Sequence, residues 1–267
     1  MAEAAGQVGA LAGRVAVVTG GGRGIGAAIA LAFADAGAHV GISGRDRAAL
    51  DATVVKVRQR GVRAAAFVCD VASPDDVARF AADFRRELGA PAIVVNNAGI
   101  APSAKFADTD EKLWAQTMDV NLGGPYRVSR TFWADVIAAG KRGRIINIAS
   151  VAAKIGFAYT SAYCASKHGL LGLTRTLAVE LAPRGPTANC VCPGWVDTEM
   201  TGRTVANIHS KTGRDPDAAR RELENMSPQR RLMSAEEVAQ VTLFLATDAA
   251  AGVNGQAWNV DGGEVMY

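Results

Sequence analysis

Disulfide and metal frameworks are both missing from this chain. Its four cysteines, Cys69, Cys164, Cys190 and Cys192, contain no Cys-x-x-Cys pair, and its three histidines, His39, His168 and His209, are dispersed. That argues against a disulfide-stapled secreted scaffold and against a metal-ligand set, and it fits buried thiols in a reducing compartment. Aromatic residues make up only 6 % of the sequence, and no basic run is interleaved with them. A nucleic-acid surface is therefore not indicated. The formal net charge of +3 is small and its basic residues are scattered. No apolar run reaches the ~20 residues that span a membrane. Residues 1–13 have neither the basic start nor the long apolar core of a secretory leader. The expectation is a cytoplasmic, soluble protein with no metal, no membrane and no nucleic acid to bind. Internal repeats and low-complexity linkers are also lacking.

What the chain has in quantity is glycine, 29 of 267 residues, clustered where strand-like runs pass into helix-like ones. Short β-branched and apolar runs at 14–19, 40–43, 64–68, 92–95, 144–149, 187–192 and 257–260 read as strands. Helical spacing follows at 27–36, 46–60, from Ser73 and Pro74 onward, at 110–139, at 162–181 and at 234–246. Ser73 is placed to cap its helix, with Pro74 at the first helical position. Such alternation predicts an α/β fold: a single-domain, Rossmann-type doubly wound parallel sheet of about seven strands with helices on both faces. One domain covers 1–267. Between 197 and 226 the periodicity loosens, which reads as a loop and helix over the site, with 198–226 as a mobile substrate-loop segment.

Ligands of such sheets bind beyond the C-terminal ends of the strands. The first strand runs into Gly20-Gly-Gly-Arg23-Gly24-Ile25-Gly26, where glycines let the backbone approach a pyrophosphate and the next helix offers free N–H donors and a partial positive charge. An acidic side chain about 20 residues on would hold a ribose 2′-OH. Gly44 stands there instead, with Arg45 just after it. Arg45 and Arg23 would accept a 2′-phosphate, which favours NADP(H); Asp46 argues for NAD(H) if the register shifts by one.

The fifth strand delivers Ser150 at its end. On the helix that follows, Tyr163 and Lys167 are four apart and share a face. A free phenol titrates near pH ~10, and a nearby ammonium favours its ionised form. With Ser150 holding the oxygen that exchanges the proton, the set suits moving a proton on or off an alcohol.

Thr19-Gly-x-x-x-Gly-x-Gly26, Asp70, Asn96-Asn97-Ala98-Gly99, Asn121, Ser150, Tyr163-x-x-x-Lys167 and Pro193-Gly194 occur together in this order. That set resembles the short-chain dehydrogenase/reductase family across residues 13–263. The resemblance implies a seven-stranded sheet, a homotetramer or dimer, and hydride transfer between a nicotinamide and a carbonyl or alcohol. It gives Tyr163 the role of general acid in reduction, Ser150 that of substrate-oxygen holder, and Lys167 those of lowering the phenol pKa and binding the nicotinamide ribose. Asp70 and Val71 would meet the adenine. Asn97, Ala98 and Gly99 would form the cofactor-side loop, and Pro193, Gly194, Val196 and Thr198 would hold the carboxamide end. Asn121 would act through its main-chain carbonyl in a proton relay, because Pro125 has no N–H to give that carbonyl and would open the turn. Tyr159 has no lysine four residues later and is left as a pocket residue.

Within the family the chain is similar to both 3-oxoacyl-thioester reductases and 3-hydroxybutyrate dehydrogenases. The polar anchors that the latter use for a small carboxylate correspond here to Ala101, Ala152 and Thr160. Ile155, Phe157, Tyr159, Trp195 and Met200 are instead apolar or aromatic pocket candidates, as for a bulky ketone. Lys141 and Arg184 match positions where acyl-carrier reductases face an acidic partner, and with Arg203, Lys211 and Arg214 they could meet a thioester's phosphate. A 3-oxoacyl thioester or polyketide-like ketone therefore leads, followed by a free hydrophobic ketone or secondary alcohol. A dinucleotide-binding sensor without catalysis is the distant alternative, since Asn121, Ser150, Tyr163 and Lys167 are all present.

Overall fold

Valine, isoleucine and alanine fill the strands because helices cover both sides of them, which removes the polar alternation of a one-sided sheet. In the computed structural model, which describes residues 9–267, the strands are β1 (Val15–Thr19), β2 (His39–Gly44), β3 (Ala64–Val68), β4 (Ile93–Asn96), β5 (Arg144–Ile148), β6 (Thr187–Pro193) and β7 (Ala257–Val260). Most of the stretch read as lacking a leader, residues 1–8, lies outside the described residues. All neighbouring pairs are parallel, in the order β3-β2-β1-β4-β5-β6-β7. Every strand C-terminus thus lies along one edge, and the order reverses between β1 and β4, where such sheets open a ligand crevice.

The helices are α1 (Gly24–Asp35), α2 (Arg47–Arg58), α3 (Pro74–Leu88), α4 (Glu111–Met118), α5 (Gly124–Thr131), α6 (Trp133–Ala138), α7 (Ser161–Leu181), α8 (Glu199–Thr212), α9 (Pro216–Met226) and α10 (Ala235–Ala246). Alternate residues of β1 serve opposite layers. Ala16 and Val18 pack with α1, α2 and α10. Val17 packs with α3, α5, α6 and α7, around a cluster of Phe67, Phe80, Phe84 and Phe132. Ser73 caps α3 as expected, its hydroxyl accepting from the N–H of Asp76. Among the described residues no helix is long and apolar enough to cross a membrane, and no group of three or more His, Cys, Asp or Glu could hold a metal ion.

Two expectations from the sequence are corrected. The helix expected over 110–139 is broken. Residues Asp119–Gly123 form a π-helical turn in which the N–H of Gly124 donates to the carbonyl of Asp119, and a second break falls at Phe132. Pro125, which cannot donate to residue 121, gives the physical reason for the first break. The segment expected as a loop and helix is two helices, α8 and α9. Gly213 ends α8 in the left-handed region (φ 69°), and Asp215 caps α9 through the N–H of Ala218.

At the N-terminal edge of the sheet, Arg144 is fully buried and donates to the carbonyls of Lys141, Gly143 and Thr247 at 2.8–2.9 Å. Arg14, also buried, donates to the carbonyl of Ala246 at 2.9 Å and pairs with Asp248, which lies 3.9 Å from Arg144 as well. One carboxylate thus serves two buried guanidinium groups. Asp248→Ala is expected to lower stability by about 1 kcal/mol, a modest figure because the carboxylate itself is largely exposed. A denaturant midpoint unchanged from the parent would contradict this.

Candidate active site

Helix α1 starts without a side-chain cap, as α5 to α8 also do. Asp46, Ser73, Asp110, Asp215 and Ser234 each cap a helix with a side-chain oxygen, whereas Arg23 gives α1 no side-chain cap and its first turn carries no acid. The first N–H groups of α1 therefore point outward with no side-chain acceptor, as an anion site requires. Gly26 is obligatory here: a Cβ on it would lie 2.2 Å from the carbonyl oxygen of Gly20. The turn is held from behind by Asn97, whose amide donates to the carbonyls of Thr19 and Gly20 at 3.0 and 3.2 Å. The Thr19 hydroxyl accepts from the N–H groups of Asn97 and Ala98. Asn97 is thus a brace of the turn, and Thr19, which the sequence offered only as the residue before the glycines, is the other half of that brace.

Around the turn the structure gathers Ile25 in the first turn of α1, Arg45 at the end of β2, and Asp70 and Val71 after β3. Asp70 accepts from the N–H of Ala72 at 3.0 Å, and Val71 is buried. Arg45 is exposed and takes part in none of the ion pairs among the described residues. Arg23 is not free. It donates to Glu199 at 2.7 Å and pairs with Asp46.

Ser150 follows β5 directly and caps a short 3-10 turn, its Oγ accepting from the N–H of Ala152 at 3.1 Å. Tyr163 stands in the first turn of α7, and Lys167 one turn on lies 5.7 Å from the phenol ring centroid. Lys167 is buried and its Nζ donates to the carbonyl of Ile148 at 2.9 Å. Gly99 leaves room for this lysine; a Cβ there would come within 3.8 Å of Nζ and 3.2 Å of Asn121 Oδ1. Burial pushes the Tyr163 phenol up to about 12, opposed by its hydrogen bond with Ser150. Burial also brings Lys167 down to about 8. The lowered phenol pKa expected from the sequence is therefore not what this site gives: Lys167 is turned toward a carbonyl and both groups are desolvated.

Asn121 is fully buried. Its Oδ1 accepts from the N–H of Ile100 at 2.9 Å, and its amide donates to the carbonyl of Ile100 and to Ser166 Oγ at 2.8 and 3.1 Å. The side chain is fully engaged in fixing the π-turn against α7 and the loop after β4. Ser166, whose hydroxyl donates to the carbonyl of Tyr163 at 2.7 Å, was not picked out in the sequence; its place one residue before Lys167 was the available signal.

Beyond β6, Pro193 and Gly194 lead to Trp195, whose indole N–H points at the sulfur of Met226 at 3.1 Å. Val196 is buried, and Thr198 sits over the glycine turn, where a Cβ on Gly24 would meet its methyl at 3.3 Å. Of the pocket candidates, Ile155 and Phe157 are partly covered, while Met200 and Tyr159 are exposed. Tyr159 adopts a left-handed backbone (φ 66°) and its carbonyl accepts from the N–H of Ala104 at 2.9 Å. It faces outward at the rim, away from the role of Tyr163. Ala152 is buried, and the Thr160 hydroxyl is engaged with the carbonyl of Phe157 at 2.9 Å.

The five basic residues read together in the sequence are not one patch. Lys141 and Arg184 lie in touching turns, with a Cβ on Gly185 only 3.0 Å from the N of Lys141. Those turns precede β5 and β6, at the opposite edge of the sheet from Ser150. Arg203, Lys211 and Arg214 belong to α8 and its exit, on the Ser150 side, where Arg203 pairs with Glu199 and Arg214 with Glu222.

The family model described as enoyl-(acyl carrier protein) reductase matches residues 20–264. The 3-oxoacyl-[acyl-carrier-protein] reductase FabG of Pseudomonas aeruginosa is 39 % identical over 256 residues, covering 96 % of this chain and 99 % of that protein. The D-beta-hydroxybutyrate dehydrogenase of Cupriavidus necator is 35 % identical over 264 residues, covering 96 % and 99 %. Among solved structures, a variant of actinorhodin polyketide ketoreductase crystallised with NADPH superposes with a TM-score of 0.91 at 34 % identity, covering 95 % of this chain and 98 % of that one.

Proposed function

The chain belongs to the short-chain dehydrogenase/reductase family, and within it we propose that it reduces a 3-oxoacyl thioester or polyketide-like ketone to the secondary alcohol with NADP(H). The observation that carries this reading is the convergence of the uncapped α1 turn with Ser150, Tyr163 and Lys167 at one edge of one sheet. The α1 turn, with Arg23 and Arg45, would hold the phosphates; Asp70, Val71, Ala98 and Gly99 would line the adenosine side, and Pro193, Gly194, Val196 and Thr198 the nicotinamide side. Bound there, the dinucleotide supplies the hydride.

Ser150 orients the ketone oxygen through its hydroxyl. Tyr163, protonated at neutral pH because its pKa is pushed up to about 12, is in the correct state to donate its phenolic proton to the oxygen as negative charge develops. Lys167 places a positive charge behind the phenol. The carbonyl of Asn121, in the π-turn opened by Pro125, remains the group available to hold a relay water, since the asparagine side chain is engaged elsewhere. The same reading places the protein in the cytoplasm, in keeping with four free thiols, and as a homotetramer. The outer face of α4, α5 and α7 carries exposed Trp114 and Tyr126 and a hollow of about 530 Å³ lined by Ala115, Met118, Leu122 and Leu173, suited to a second copy.

Initial rates on acetoacetyl-CoA, an acyl-carrier thioester and a simple aryl ketone, each with NADPH and NADH, test the assignment. Turnover of a thioester with NADPH is expected to lead. No turnover of either thioester removes the substrate assignment, and a strong preference for NADH removes the cofactor assignment. A free hydrophobic ketone is the second reading, favoured by the apolar rim of Ile155, Phe157 and Met200 and by the lack of a carboxylate anchor at Ala101, Ala152 or Thr160.

A further inference from the structure

Arg23 lies between two carboxylates that belong to different parts of the molecule. Its Nη2 pairs with Asp46 and its Nη1 donates to Glu199 Oε2 at 2.7 Å. Asp46 is fixed, because its other oxygen caps α2 by accepting from the N–H of Ala49 at 3.1 Å. Glu199 is the first residue of α8, a helix whose only buried residue is Thr201. Toward the glycine turn and the loop after β4, α8 is held by a few polar ties and little buried apolar surface. The ties are the Thr201 hydroxyl to the carbonyl of Val196 at 2.6 Å, Asn207 to Ser103 at 3.0 Å, and Glu199 to Arg23. The Thr198 methyl resting over Gly24 marks the same junction.

A guanidinium grips a phosphate best through two parallel N–H bonds. Two carboxylates already offset the charge of Arg23, so a 2′-phosphate brought against it meets their negative charge, and its grip strengthens when one of them leaves. The anchored Asp46 stays, and Glu199, on the loosely packed helix, is the one that can move. We propose that Glu199 is a positioning residue that competes with the 2′-phosphate of the dinucleotide for Arg23, so that NADP(H), unlike NAD(H), releases the start of α8. This rests on the NADP(H) reading above. It makes the lid over the substrate side respond to which nucleotide is bound.

Fluorescence titration of NADPH and NADH into the parent protein and Glu199→Gln tests it, together with hydrogen exchange of the amides of residues 199–212. Glu199→Gln is expected to tighten NADPH by about 2- to 5-fold, the range of an exposed ion pair, and to leave NADH within error. In the parent, exchange in α8 is expected to be faster with NADPH than with NADH, and in the variant the two should coincide. Equal changes in affinity for both nucleotides, weaker NADPH binding, or nucleotide-independent exchange in the parent would each overturn the proposal. A parent protein that binds NADH more tightly than NADPH would instead overturn the cofactor reading, a result visible before any variant is made.

Discussion

Tyr163→Phe is expected to lower kcat for ketone reduction by about 1,000-fold or more while leaving the dissociation constant for the nucleotide within about twofold. A positioned general acid contributes on the order of 100- to 10,000-fold. Tyr159, the other tyrosine in this stretch, is on the outer rim with its backbone in the left-handed region. The phenol at about 12 is protonated throughout the neutral range. Reduction should therefore not require a tyrosine ionisation, and the oxidation of an alcohol, which needs the phenolate, should accelerate as pH rises. Lys167, brought down to about 8, gives a second feature. Above that pH it loses the charge that supports the phenolate left after proton donation, so kcat for reduction should be level below pH 8 and decline above it. Steady-state kinetics from pH 6 to 10 on the parent and on Tyr163→Phe check both points. A variant retaining a tenth of the parent rate would remove Tyr163 from the role of acid.

The second large effect concerns stability. Glu264, just beyond β7, has both carboxyl oxygens buried with no hydrogen-bond partner among the described residues. One of them would lie 3.0 Å from a Cβ on Gly194. Asp261 nearby already satisfies its own charge by accepting from the N–H groups of Gly263 and Val265. Desolvation first, and the charge of Asp261 second, push the Glu264 carboxyl up to about 7. Because the folded chain binds this proton more tightly than the unfolded chain, the contribution to stability is whole below about pH 4.5. It fades as pH rises toward 7 and is absent above. Glu264→Gln removes the ionisation while keeping the shape. The variant should match the parent near pH 4 and exceed it at pH 8 by about 2 kcal/mol, a figure reduced to allow for a residue only partly covered. Urea denaturation at the two pH values measures the difference. A variant less stable than the parent at pH 8 would show that the carboxylate has a compensating partner.

The two predictions differ in how far the sequence alone supports them. Tyr163, Lys167 and Ser150 could be read in order because a strand end, a cap and a four-residue spacing are local features. The backbone geometry of one helix sets which side chains share a face, wherever the rest of the chain goes. The same holds for the seven strands, whose apolar runs are bounded by turn residues, and for the opened turn at Pro125, which follows from a missing N–H. The glycine turn belongs here too, since its lack of a capping side chain is a property of residues 20–26.

Other features were settled only by tertiary contacts. Arg23 is committed to an acid 23 residues away and to another 176 residues away, and no periodicity encodes such a meeting. The phenol and ammonium pKa values depend on how deeply the site is covered, and for Tyr163 burial acts opposite to the direction expected from the four-residue spacing. Lys141 and Arg184 were separated from the lid cations because their turns precede strands instead of following them. Glu264 belongs to no motif read in the sequence, and its burial beside Gly194 and Asp261 comes from the packing beyond β6 and β7. Local spacing thus determined the elements and the proton-transfer set, through short-range backbone geometry. Burial and charge pairing, which depend on where distant segments pack, decided the protonation states, the partners of Arg23 and the surroundings of Glu264.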